Sequence, residues 1–453
     1  MRPAFAADVT HFLTGTLYAI DLTLTFDPPQ VEGRQWVRYI NQEQVPLTEL
    51  YLRLFPNTPA YGGQMQVTEL TLNGQAVEPV TELEGSALRL PLDPPLPPGQ
   101  AVTLTMAFQV TVPEETTAGY GQFSYSEGVM ALPNVYPLIP VYDDEGWNVE
   151  IAPAIGDAVY SDTALYRVWV TAPARTQIAT SGTCGPPRPL DGDRARWTCV
   201  SGPMRDFVVI AGPDYQVLST QVDGVQVNSY FLPGDEAGGR QVLETAAAAL
   251  RDFDRWFGPY PFAELDVVET PTTAGGIEYP GLVVIAEDLY GGSRGRFDFF
   301  RWATAHEVAH QWWYSLVGND QVDEPWLDEA LAQYSTYLFF EDVEGEEEAE
   351  RIKEVYFEEP YQAVVQAGED QPVGQPVSAF SPEGYGLIVY QKGPLFFDAL
   401  RQAAGDEGFL TILRTYFRQN RYGIATPEAL LAAARQVLGE EEVQALYEAW
   451  ILK

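Results

Sequence analysis

The sequence predicts an α+β multidomain protein: an all-β domain over residues 1–212, built as a sandwich or saddle-shaped set of sheets, then a mainly helical domain over 213–453. Two observations predict it. In the first part apolar residues recur at every second position, with no helix-period stretch of convincing length; beyond Gly239 the period becomes three and four. A chain of 453 residues, 46% hydrophobic and 13% aromatic, has the length and apolar content for two or three sizeable cores.

Tyr18, Ile20, Leu22, Leu24 and Phe26 alternate with Ala19, Asp21, Thr23 and Thr25, the pattern of a half-buried strand. Leu50, Leu52 and Leu54 repeat it, as do Val102, Leu104, Met106, Phe108, Val110 and Val112. Asn73-Gly74 marks a tight hairpin turn. An Ala- and Leu-rich helix is expected over 239–256 and a strand over 264–270. A helix free of proline runs through 301–318, with Gly318 as its stop, and 325–334 is helix-like. The acidic run 341–350 reads as a solvated face. Pro394 opens a helix through Leu400, Thr426-Pro427-Glu428 caps another that Gly439 ends, and 440–450 makes the last. There is no internal repeat.

The two cysteines flank a hairpin signal, Asp191-Gly192. A two-residue turn there places Cys184 directly opposite Cys199, where a disulfide can form, although Pro186, Pro187 and Pro189 interrupt the ladder. A disulfide favours an oxidising, extracytoplasmic location. The first fifteen residues hold no continuous apolar core, so no signal peptide is read. A net charge of −38 argues against nucleic acid, and no apolar run is long enough to span a bilayer.

Two of the three histidines lie in His306-Glu307-Val308-Ala309-His310. Positions four apart on a helix share a face, so one Zn²⁺ could take both imidazoles while Glu307 handles a water proton beside it. Phe299, Phe300, Ala303, Val308, Trp312 and Leu316 support the helix, and Glu329 is available as a third ligand. Three protein ligands leave a position for water, as catalytic zinc sites do and structural ones do not. His11 reads as an ordinary strand-flanking residue.

His-Glu-x-x-His with a Glu eighteen residues further along, at Glu329, resembles the gluzincin zinc metallopeptidases, and within them the aminopeptidase N family. Gly275-Gly276-Ile277-Glu278-Tyr279 resembles that family's Gly-x-Met-Glu-Asn exopeptidase motif, about thirty residues before His306. Tyr390-Gln391-Lys392-Gly393 resembles its Tyr-x-Lys-Gly segment, and Phe257-Gly258-Pro259-Tyr260-Pro261 the turn that precedes the exopeptidase motif. The resemblance covers at least 205–453, in matching order and spacing. Ile277, Tyr279 and Ala330 depart from the usual Met, Asn and Gly.

The resemblance implies a thermolysin-like catalytic domain over 213–453, in the manner of the shorter two-domain members. It implies one Zn²⁺ per chain on His306, His310 and Glu329, Glu307 as general base, and Tyr390 as the donor to a developing oxyanion. Gly275 and Gly276 let a peptide backbone come close, and Glu278 pairs with a free α-ammonium. The expected substrates are peptides with a free N-terminal amine, with no obligate protein partner. The alternatives are a zinc endopeptidase or other zinc hydrolase on the same metal centre, and a catalytically retired binding protein.

Overall fold

The computed structural model describes residues 1–114, 118–157, 159–292 and 296–453. The alternation read in the sequence becomes a nine-stranded sheet. Its centre is Leu17–Phe26, parallel to Leu165–Pro173 and antiparallel to Pro29–Ile40, which in turn pairs with Ala101–Thr111. Tyr18, Ile20, Leu22, Leu24, Leu104, Met106 and Phe108 are buried on one face, as the period of two requires. A three-stranded sheet containing Leu47–Arg53 and a four-stranded one ending with Val209–Gly212 complete the β part around a shared core. Asn73 and Gly74, both at positive φ, form the expected two-residue turn between Leu72 and Gln75.

The Asp191-Gly192 hairpin differs in detail. Leu190 pairs with Arg194, so Asp191, Gly192 and Asp193 form a three-residue loop with the last two at positive φ. Arg188 faces Arg196 yet Cys184 faces Cys199, so the proline-bearing strand contains one residue more than its partner. That bulge offsets the extra turn residue. The cysteines meet and are disulfide-bonded.

Two further expectations are corrected. His11 does not flank a strand: it lies in a short helix, Ala6–Phe12, held by Asp8 to Arg421 and Tyr422 near the other end of the chain. Seven residues show too little periodicity to reveal such a helix, which long-range contacts stabilise. The helix expected to reach Gly318 is Phe299–Ala309, and the chain leaves it at His310.

The second part opens with a five-stranded sheet, ordered Gln216–Val222, Val225–Phe231, Glu264–Thr270, Leu282–Ala286 and Gly276–Tyr279. Helix Glu236–Trp256, starting three residues earlier than expected, carries the chain between two parallel strands. The edge strand Gly276–Tyr279 and helices Phe299–Ala309 and Glu329–Glu344 bring the candidate residues together. Gly393–Asn420, far longer than the expected 394–400 and broken at Gly405, Pro427–Leu438 and Glu440–Trp450 pack behind them.

Candidate active site

His306 lies in the last turn of helix Phe299–Ala309 and His310 at its C-terminal cap. Asp298 caps the other end by accepting from the Arg301 amide, and Trp302, Ala305, Val308 and Ala309 are fully buried, so the helix is fixed on all sides. Glu329 begins the helix Glu329–Glu344, after a turn in which Trp326 and Leu327 are buried. The Glu329 amide donates to Asp328 Oδ1 at 2.8 Å, and Gln321 Nε2 donates to Asp328 Oδ2 at 2.9 Å.

The three side chains converge. His306 Nε2 lies 3.1 Å from His310 Nε2 and 3.2 Å from Glu329 Oε2, with His310 Nε2 at 3.4 Å from the same oxygen. His310 Nδ1 donates to the Trp313 carbonyl at 2.9 Å, which places its proton there and leaves the Nε2 lone pair facing the other two groups. Two nitrogens and a carboxylate with lone pairs aimed at one point fit a borderline-soft divalent cation such as zinc.

Glu307, on the same helix, is 4% exposed, and its Oε2 has no hydrogen-bond partner among the described residues. Across from it is Gly276. A Cβ there would lie 2.4 Å from Glu307 Oε1, so this glycine makes room for the Glu307 carboxylate, in addition to any room it leaves for a ligand. Glu278 comes two residues later on the edge strand, and its carboxylate, Glu307 and His310 have donor atoms all within 4.8 Å of one another. Gln321 Nε2 donates to Glu278 Oε1 at 3.0 Å. Gln311, just past the helix that carries His306, ties this strand to it, donating to Tyr279 O at 2.9 Å and accepting from the Gly281 amide at 2.8 Å. The Tyr390 hydroxyl donates to Glu329 Oε1, and its ring centroid lies 6.0 Å from that of His306.

Burial first, then repulsion among neighbours, raises the carboxyls of Asp157, Glu278 and Glu307 well above the ordinary range, and that of Asp328 to about 7. Glu329 goes the other way: burial would raise it, but its contacts with His306 and His310 hold it low. Among the described residues no Lys or Arg lines the cavity, which has a volume of about 330 Å³. The site therefore favours positive charge, both between the three ligands and beside Glu278.

Residues 242–450 match the model of the peptidase family M1 domain. That stretch is 209 of the 453 residues, a little under half of the chain, and is similar to the M1 domain. The chain is 29% identical over 239 residues to Aminopeptidase M1 of Arabidopsis thaliana, covering 50% of this chain and 27% of that protein. Against Aminopeptidase 2 of Candida albicans the identity is 25% over 271 residues, 57% of this chain and 29% of the relative. The chain thus spans less than a third of these curated relatives. The whole fold, including the β part, is similar to the crystal structure of an M1 zinc metallopeptidase from Deinococcus radiodurans, with a TM-score of 0.74 and 23% identity over 96% of this chain and 94% of that one.

Several residues around this site escape a sequence reading. Tyr120, Gln122, Gly156 and Asp157 reach the cavity from the β part, more than a hundred residues away in the chain. The Tyr120 carbonyl anchors them by accepting from Thr272 Oγ1 at 2.7 Å and the Thr273 amide at 2.9 Å. Tyr385 is not among these: its place five residues before Tyr390 already suggests the same cleft, and it lines the cavity, buried 5.6 Å from the Tyr390 ring with its hydroxyl without a partner among the described residues. Lys392 points away from the cavity: its ammonium bonds Asp370, the Gln371 carbonyl and the Lys453 carbonyl, anchoring the turn that carries Tyr390. The short irregular segments that hold Tyr120, Gln122, Gly156 and Asp157 carry no periodic signal.

Proposed function

We propose that the protein is a zinc-dependent aminopeptidase that removes the first residue from peptides with a free N-terminal amine. His306, His310 and Glu329 hold the zinc. Bound there, zinc lowers the pKa of a coordinated water toward 7 and polarises a carbonyl. Glu307, unpaired at Oε2 and next to a ligand, accepts the proton of the attacking water and returns it to the leaving amine. Tyr390 is the donor to the developing oxyanion, and its present bond to Glu329 keeps its hydroxyl at the site. Gly275 and Gly276 leave the edge strand open to a peptide backbone, and Glu278 pairs with the α-ammonium.

The observation that carries the aminopeptidase reading is the position of Glu278. It is a buried carboxylate outside the ligand triad, with an oxygen within 4.8 Å of both the Glu307 carboxylate and the His310 ring. An ammonium held there lies one residue from the bond that Glu307 serves, and only a peptide's first residue has one. The test is Glu278→Ala on a free-amine substrate and on its N-acetylated twin. A partly desolvated charge pair contributes about 2–4 kcal/mol, so kcat/KM falls about 30- to 1000-fold on the free amine. On the acetylated substrate wild type is already poor and the variant no worse. Equal cleavage of both substrates by wild type supports an endopeptidase instead.

The same reading divides the chain at 212/213, supported by the change of sheet between Val209–Gly212 and Gln216–Val222. The Cys184–Cys199 disulfide supports an oxidising compartment outside the cytosol. No described helix is long and apolar enough to cross a membrane.

A further inference from the structure

The bond from His310 Nδ1 to the Trp313 carbonyl requires the chain to leave the helix, since in a continued helix that carbonyl would point along the axis to residue 317. The helix has ended by His310, and the sharpest departure from helical backbone comes at Tyr314, whose φ of 129° is an outlier for a bulky side chain. Local bonds support the turn: Tyr314 N donates to Val317 O at 2.8 Å and Ser315 N to His310 O at 3.0 Å. Two residues from the end of the β part hold Tyr314 at both ends. Arg205 Nε donates to its carbonyl at 2.7 Å, and its hydroxyl donates to Asp206 Oδ2 at 2.7 Å.

Arg205 and Asp206 are 2% and 0% exposed. The guanidinium also bonds the Ser161 carbonyl at 3.2 Å and the Gly423 carbonyl. Gly318, expected to stop a helix, instead leaves space for it: a Cβ there would lie 2.1 Å from Arg205 Cζ. Apolar packing could join the two parts of the chain as firmly. A planar cation on three main-chain carbonyls additionally fixes where those carbonyls point.

We propose that Arg205 and Asp206 are positioning residues for the metal ligand His310, acting through Tyr314 and the Trp313 carbonyl. The inference rests on the zinc reading above. It makes the β part a contributor to metal geometry as well as a wall of the cavity. Groups that orient a metal-bound histidine typically change metal affinity 10- to 100-fold.

The experiment measures zinc release to a chelator, and the visible spectrum of the cobalt-substituted protein, in Tyr314→Phe, Arg205→Lys and Asp206→Asn. Tyr314→Phe keeps the ring and loses one bond; it should release zinc about 10-fold faster, shift the cobalt bands, and lower kcat with KM unchanged. Arg205→Lys cannot reach the same carbonyls and should behave similarly. Asp206→Asn retains an acceptor for the tyrosine and should stay near wild type. If Arg205→Lys does not fold, Tyr314→Phe alone decides. A Tyr314→Phe protein that melts lower yet keeps the wild-type release rate and cobalt spectrum reduces the cluster to structural support and overturns the proposal. Wild-type protein that retains no zinc overturns the metal reading, and this inference with it.

Discussion

The carboxylate of Glu307 occupies the space that a side chain at residue 276 would need, 2.4 Å from where a Gly276 Cβ would stand. A carboxylate cannot yield at such a distance without rotating away from the ligand cluster. Gly276→Ala should therefore lower kcat by about 100-fold or more, in the range of losing a general base, while zinc content stays at wild type. Unchanged kcat would mean that Glu307 has another productive position.

Metal binding and proton transfer should be separable at this site. Glu329→Ala removes one of three ligands and should lose most of the zinc on dialysis. Glu307→Gln should retain one zinc per chain while kcat falls about 10²- to 10⁴-fold. Normal turnover in a zinc-loaded Glu307→Gln protein would remove Glu307 from the mechanism.

The disulfide closes a loop with a sequence separation of 15 between Cys184 and Cys199. Intact mass should be two hydrogens below that of the reduced protein. Reduction, or Cys184→Ser with Cys199→Ser, should cost about 3 kcal/mol of unfolding free energy in denaturant titrations. Freely alkylatable thiols in native, oxidised material would contradict the pairing and the compartment proposed from it.

Glu269 links stability to pH. Burial raises its carboxyl to about 8 against the opposing hydrogen bond from the Leu232 amide. An acid with a raised pKa binds its proton more tightly folded than unfolded, so its stabilisation is complete below the unfolded pKa, near 4.3, and is lost as pH climbs through about 8. Melting temperature should fall between pH 5 and pH 8 more steeply in wild type than in Glu269→Gln, which cannot titrate. Parallel curves for the two proteins would show that Glu269 binds its proton no more tightly folded than unfolded.

The linear sequence determined what depends on near neighbours. An alternation of two made the strands, and a spacing of four put His306 and His310 on one helical face with Glu307 between them. Glycines and prolines marked the last helices at Pro427 and Gly439. Even the meeting of Cys184 with Cys199 was legible, although the route to it was not, because a bulge and a longer turn offset each other.

Tertiary structure decided the rest. Beyond the helix that ends at Ala309, Arg205 and Asp206, a hundred residues earlier, bond Tyr314 at its carbonyl and hydroxyl in a backbone conformation that no local preference favours. Asp157 and Gln122 line the cavity from irregular segments of the β part, where the Tyr120 carbonyl is bonded by Thr272 and Thr273, and Gly276 is needed because a helix places Glu307 against it. Spacing along a chain encodes which side chains share a face of one element. Which faces meet, and which groups are thereby forced into each other's space, depends on close packing between distant segments.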